Sequence, residues 1–201
     1  MKIGIYGGSF NPLHNAHIVI AGYFYNYFSL DKVLFVPAYQ SPFKQRSFYQ
    51  IPDLHRLKML EIALSGYKHF EIEKYELNHT GVSFTIDTIK YLQNQYPDNT
   101  EFYLLIGADQ SAEFHRWKSW QEILKSVKLC VAGRDDIKKL FVQEVDEYCR
   151  INKIIIEYPD TPILDISSQS VREKILAGET IDDIVPEQVK NYIFQNKLYK
   201  E

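Results

Sequence analysis

The residues best suited to chemistry in this 201-residue chain cluster early, in Gly7-Gly8-Ser9-Phe10-Asn11-Pro12-Leu13-His14-Asn15-Ala16-His17. Two glycines at a strand end let the backbone approach a ligand closely, and the helix N-terminus that follows offers unpaired N–H groups to an anion. Phosphate suits both. His14 and His17 are three apart, so in a first helical turn their imidazoles share a face beside that loop. Singly, these features are ordinary: Gly-Gly makes a tight turn, a histidine pair decorates a surface, and a metal would need a third ligand that the sequence does not nominate. Their convergence points to phosphate binding.

A second group lies near the other end, in Ile166-Ser167-Ser168-Gln169-Ser170-Val171-Arg172. Ser167 or Ser168 can cap a helix, and Arg172, one turn in, can reach polyphosphate oxygens. In isolation this segment is a Ser N-cap with a surface arginine. Between the two groups, Lys44 sits in a polar, Pro-containing loop over residues 38–52, longer than most strand-to-helix connections and a candidate substrate lid. No covalent nucleophile is indicated: Cys130 and Cys149 stand in no motif, and no Ser-His pairing follows from spacing. Direct displacement is the expected chemistry.

Short β-branched and aromatic runs at 3–6, 33–36, 102–106, 127–132 and 154–158 read as buried strands. Segments with helical spacing lie between or beside them at 18–28, 54–64, 84–95, 120–125 and 137–148. Such alternation predicts an α/β fold, a doubly wound parallel sheet with helices on both faces. After Pro162 the chain reads as helical, with Gly178 as a stop, giving one domain over 1–201 with a C-terminal helical subregion from about 163.

Apolar residues at 45% and charged residues at 24% are ordinary for a globular chain. A net charge of -3 without a dense basic run argues against a nucleic-acid partner. Two cysteines form neither a metal cluster nor a disulfide framework, which suits a reducing cytoplasm. Neither a signal peptide nor a membrane-spanning run is read, so no membrane partner is expected; a homo-oligomer is compatible with the sequence.

The first motif resembles the nucleotidyltransferase signature usually written HxGH, with Ala16 in place of the glycine, and the second is similar to ISSTxIR. Intermediate features resemble the bacterial nicotinate mononucleotide adenylyltransferases: Ser41-Pro42-Phe43-Lys44 with Phe43 where a histidine is common, Gly81-Val82-Ser83-Phe84-Thr85-Ile86-Asp87-Thr88, and Leu105-Ile106-Gly107-Ala108-Asp109 followed by Phe114 and Trp117. The resemblance covers nearly the whole chain and implies a Rossmann-like fold. It also implies adenylyl transfer from ATP, with Mg²⁺, to nicotinate mononucleotide in NAD biosynthesis. It gives His14, His17, Lys44 and Arg172 to catalysis. Gly7, Gly8, Ser9, Phe10, Gly107, Asp109, Ile166, Ser167 and Ser168 go to the nucleotide, and Ser83, Thr85, Trp117 and Arg134 to the acceptor. Two other readings share the end motifs: an adenylyltransferase for another phosphate monoester such as phosphopantetheine, and a nucleotide-binding regulator without activity.

Overall fold

The computed structural model describes residues 1–43, 51–79, 81–133, 141–162 and 164–200. Among them, five parallel strands form one sheet: β1 (Lys2–Gly8), β2 (Lys32–Pro37), β3 (Phe70–Ile72), β4 (Glu101–Gly107) and β5 (Lys128–Ala132), in the order β3-β2-β1-β4-β5. Ile5 pairs with Leu34 on one side and Leu104 on the other, so β1, which carries the Gly-Gly end, is central. Strand order reverses beside it, at the β1/β4 boundary, where the crevice beyond the carboxyl ends of the strands is the natural ligand site of such a sheet.

Alternate strand residues face opposite sides and build two cores. Tyr6, Val33, Phe35, Tyr103 and Leu105 pack with α1 (Asn15–Tyr27), α2 (Asp53–Leu64), α8 (Ser168–Leu176) and α9 (Glu187–Gln195). Ile3, Ile5, Leu34, Val36, Leu104 and Ile106 pack on the other face with α4 (Thr85–Gln95), α6 (Trp120–Ser126) and α7 (Gln143–Asn152). Ala16, Ile18, Ala21 and Phe24 give α1 its buried stripe. Two short helices complete the set, α3 (Tyr75–Asn78) and α5 (Ala108–Ala112).

Three expectations need correction. Residues 154–158 make no sixth strand; they add a single isolated bridge to β5, Glu157 opposite Cys130, with Glu157 N–H donating to Leu129 O and Val131 N–H to Glu157 O, both at 2.9 Å. The next rung of a parallel ladder would need an N–H from residue 159, which is proline. Of the helix expected over 137–148, residues 137–140 lie outside the described residues and 141–142 are not helical; α7 runs from Gln143 because Val142 is extended, and Glu144 and Asp146 occupy its first turn, where the helix dipole favours them. The C-terminal segment is two helices, with Gly178 at φ 71° ending the first and Pro186 preceding the second.

Candidate active site

The Gly-Gly loop leaves β1 and turns at Phe10, which holds φ 45°, an uncommon value for a side chain of this size. Its ring is 1% exposed and packs edge-on against Tyr6 at 5.9 Å and His17 at 5.1 Å, so burial fixes the turn. His14 is the N-cap of α1, extended at φ -138°. Its backbone N–H donates to His17 Nδ1 at 3.2 Å, and the two imidazoles lie 3.7 Å apart at 30°. Acceptance at Nδ1 places the proton of a neutral His17 on Nε2, making that nitrogen a donor. Burial holds His14 down to about 4, so its ring is neutral near pH 7, and its Nδ1 is buried without a hydrogen-bond partner among the described residues.

The second motif closes on the first. Ser167 caps α8 by accepting the Ser170 N–H at 3.0 Å, and the Ser170 hydroxyl accepts the Ser167 N–H at 3.1 Å in return. Ser168 Oγ donates to Pro12 O at 2.9 Å, and Arg172 Nη1 donates to Asn11 O at 2.7 Å and Ser168 O at 3.1 Å. Tyr199 Oη donates to the Asn11 side-chain oxygen at 2.6 Å, and Asn15 N–H to Ile184 O at 2.9 Å. Arg172 Nε is buried without a hydrogen-bond partner among the described residues.

These segments wall a cleft of about 660 Å³, the order of size of a pocket for a large small-molecule ligand. Gly7, Gly8, Ser9, Phe10, His14, His17, Gly107, Asp109, Ile166, Ser167, Ser168 and Arg172 all line it, as does Ala16. Phe10 contributes from a buried position, whereas Asp109, in the first turn of α5, is exposed. A second cavity of about 130 Å³ shares the Gly7-Gly8-Ser9 wall and is otherwise bounded by Phe43, Phe84, Trp117 and the start of α4 at Ser83 and Thr85. Trp117 packs on Phe114 at 5.2 Å and faces Phe43 at 6.5 Å. Ser83 Oγ accepts the Tyr39 N–H at 3.0 Å, tying this pocket to the chain leaving β2. Lys44 and Arg134 lie outside the described residues.

Sequence reasoning missed Arg56. Only 3% exposed, it donates from Nη1 to Ser9 O at 2.7 Å and from Nη2 to Ala38 O at 2.7 Å, and it pairs with Asp53. One buried guanidinium thus clamps the Gly-Gly loop to the segment after β2, and the Asp53 carboxylate offsets its charge. The Asp53/Arg56 spacing within a first helical turn was the available signal. Gln110 was also missed; its Oε1 accepts the Gly107 N–H at 3.1 Å, and the residue lines both cavities.

A parallel sheet with a phosphate-suited loop at its switch point and a serine-capped helix closing over it defines a nucleotide-handling class. The cytidylyltransferase-like family profile matches residues 5–174, and the chain belongs to that family. Within it, the chain is a member of the nicotinate-nucleotide adenylyltransferases: it is 33% identical over 199 residues to a relative from Lachnoclostridium phytofermentans named probable nicotinate-nucleotide adenylyltransferase, with 98% of each chain covered. A relative of the same name from Streptococcus pneumoniae is 36% identical, covering 98% of this chain and 88% of that one. The fold is similar to that of Plasmodium falciparum nicotinic acid mononucleotide adenylyltransferase complexed with NaAD, at a TM-score of 0.74 and 20% identity over 98% of this chain and 97% of that one. A complex of the P. falciparum enzyme with APC gives 0.71 at 21%, covering 98% and 96%.

Proposed function

We propose that this enzyme transfers the adenylyl group of ATP to nicotinate mononucleotide, giving nicotinate adenine dinucleotide and pyrophosphate in NAD biosynthesis. The observation that carries the reading is the pair of adjoining cavities: a large one walled by both phosphate-suited motifs, and a small aromatic one headed by a helix N-terminus, meeting at Gly7-Gly8-Ser9. ATP takes the large cleft, with its triphosphate against His14, His17 and Arg172 and its nucleoside along Gly107, Asp109 and residues 166–168. The acceptor's pyridine ring takes the small one against Trp117. Its phosphate then meets the α-phosphorus at the shared wall.

A phosphate monoester has its second pKa at about 6, so at neutral pH the acceptor is already a nucleophile and needs no general base. What remains is alignment and stabilisation of the charge on departing pyrophosphate. The described residues lining the large cleft supply imidazole, guanidinium and backbone donors, with Asp109 their single carboxylate. That donor set suits a divalent metal ligated mostly by phosphate oxygens, and we assign Mg²⁺, which would neutralise charge on the triphosphate. Two buried, free cysteines suit a reducing cytoplasm.

Acid over amide is the test of the acceptor. A carboxylate at Ser83 to Thr85 gains charge-assisted hydrogen bonds from the opening of α4, whereas a carboxamide must turn a weaker carbonyl or its own donors toward them. A buried donor left unpaired costs about 1 to 3 kcal/mol, so nicotinate mononucleotide is expected to exceed its amide by roughly tenfold to a hundredfold in kcat/KM. Side-by-side kinetics at fixed ATP and Mg²⁺ measures this. Equal values would overturn the carboxylate placement, and absence of pyrophosphate release with both would overturn the function.

Gly7 offers a second check. Apart from its chain neighbours, a methyl group there would meet no atom of the described residues within 4 Å, yet the residue lines both cavities. Gly7→Ala is therefore expected to leave the thermal midpoint within about 2 °C, as for a substitution worth under about 0.5 kcal/mol in a domain of this size. The methyl would occupy space meant for ligand, lowering kcat/KM by about tenfold or more through misplacement of the reacting groups. Wild-type activity in this variant would place the substrates elsewhere.

A further inference from the structure

We propose that Lys118 is a specificity-determining residue for the acceptor, its ammonium selecting a carboxylate-bearing ring over an uncharged one. This rests on the reading of the small cavity as the acceptor pocket. Lys118 follows Trp117 and lines that cavity together with Phe84 and Thr85. Its Nζ lies 4.4 Å from the centre of the Phe84 ring and 3.1 Å from Asp87 Oδ2. Phe84 is the N-cap of α4 and Asp87 is in its first turn, so the ammonium is held beside the start of that helix, which lines the pocket at Ser83, Phe84 and Thr85.

Two charged groups are found among the described residues that line this cavity, Lys118 and Glu76. Glu76 accepts the Thr88 hydroxyl at 2.6 Å, which engages its carboxylate within the wall, and burial pushes its carboxyl up. Asp87 does not line the cavity; it holds Lys118 from the side. That ion pair is about half exposed at both ends, with side chains 47% and 44% accessible, and pairs of this kind are weak. An ammonium carries three donors, so Lys118 can keep Asp87 and still reach a ligand carboxylate. Contact with the Phe84 ring face screens one side of the ammonium from water and strengthens its pull on an anion. A carboxamide offers it no charge.

The experiment is steady-state kinetics of the full chain with both mononucleotides at fixed ATP and Mg²⁺. Lys118→Met keeps the apolar stem on Phe84 and removes the charge; it is expected to lower kcat/KM for the acid about tenfold, chiefly through KM, while the amide stays within about twofold. Lys118→Arg keeps the charge and is expected to keep most of the preference. An acid-to-amide ratio that Lys118→Met leaves unchanged, or an equal loss on both acceptors, would overturn the role of Lys118 with the proposed function intact. A wild-type protein that turns over neither mononucleotide would overturn both.

Discussion

His17→Ala is expected to lower turnover by about a hundredfold or more, the scale seen when one preorganised donor to transition-state charge is removed. The size of the effect follows from how firmly the ring is held. Its Nδ1 receives the His14 N–H at 3.2 Å, one face lies against His14 and an edge against Phe10, so Nε2–H is oriented before substrate arrives. Water cannot replace such a donor without reorganising at the moment of reaction. Single-turnover pyrophosphate release, with the thermal midpoint as a check on folding, measures it. A folded variant with wild-type turnover would remove His17 from the chemistry.

Arg172 is the second position of large effect. Its Nη1 is committed to Asn11 O and Ser168 O, and the residue lines the large cleft beside His14 and His17. Arg172→Ala is expected to cost about a hundredfold in kcat/KM for ATP, because leaving-group stabilisation and the grip on the phosphate loop are lost together. Arg172→Lys is expected to regain only about a tenth of wild-type activity, since a point charge cannot reproduce a planar fork. Full activity with lysine would mean that charge alone matters there.

Much of this was legible in the sequence because local and global preferences agree. Strands β1, β2, β4 and β5 are continuous apolar runs, as strands buried on both faces must be. The Ser167 cap and the Gly178 stop fall where their chemistry requires. Strand β3 was invisible because it is three residues long with Glu71 at its centre, and α5 because five residues carry no period. Part of the candidate site was legible. His14, His17 and Arg172 are nominated by two motifs that the fold brings to one cleft, whereas Arg56 acts through two backbone carbonyls, Ser9 O and Ala38 O, that only the fold brings within its reach. Lys118 reads as one more solvated lysine until Phe84 and Asp87 are seen beside it.

The bonds from Tyr199 to Asn11 and from Asn15 to Ile184 couple parts of the fold that are far apart in sequence. The loop after β1 takes part of its support from Tyr199, 188 positions away from Asn11, and part from Ile184. The sheet can keep β1 between β2 and β4 while α9 and the residues after it open, but the loop then loses two of the bonds that hold it. Local unfolding at one end of this sequence is therefore felt at the other, in the wall of the cleft.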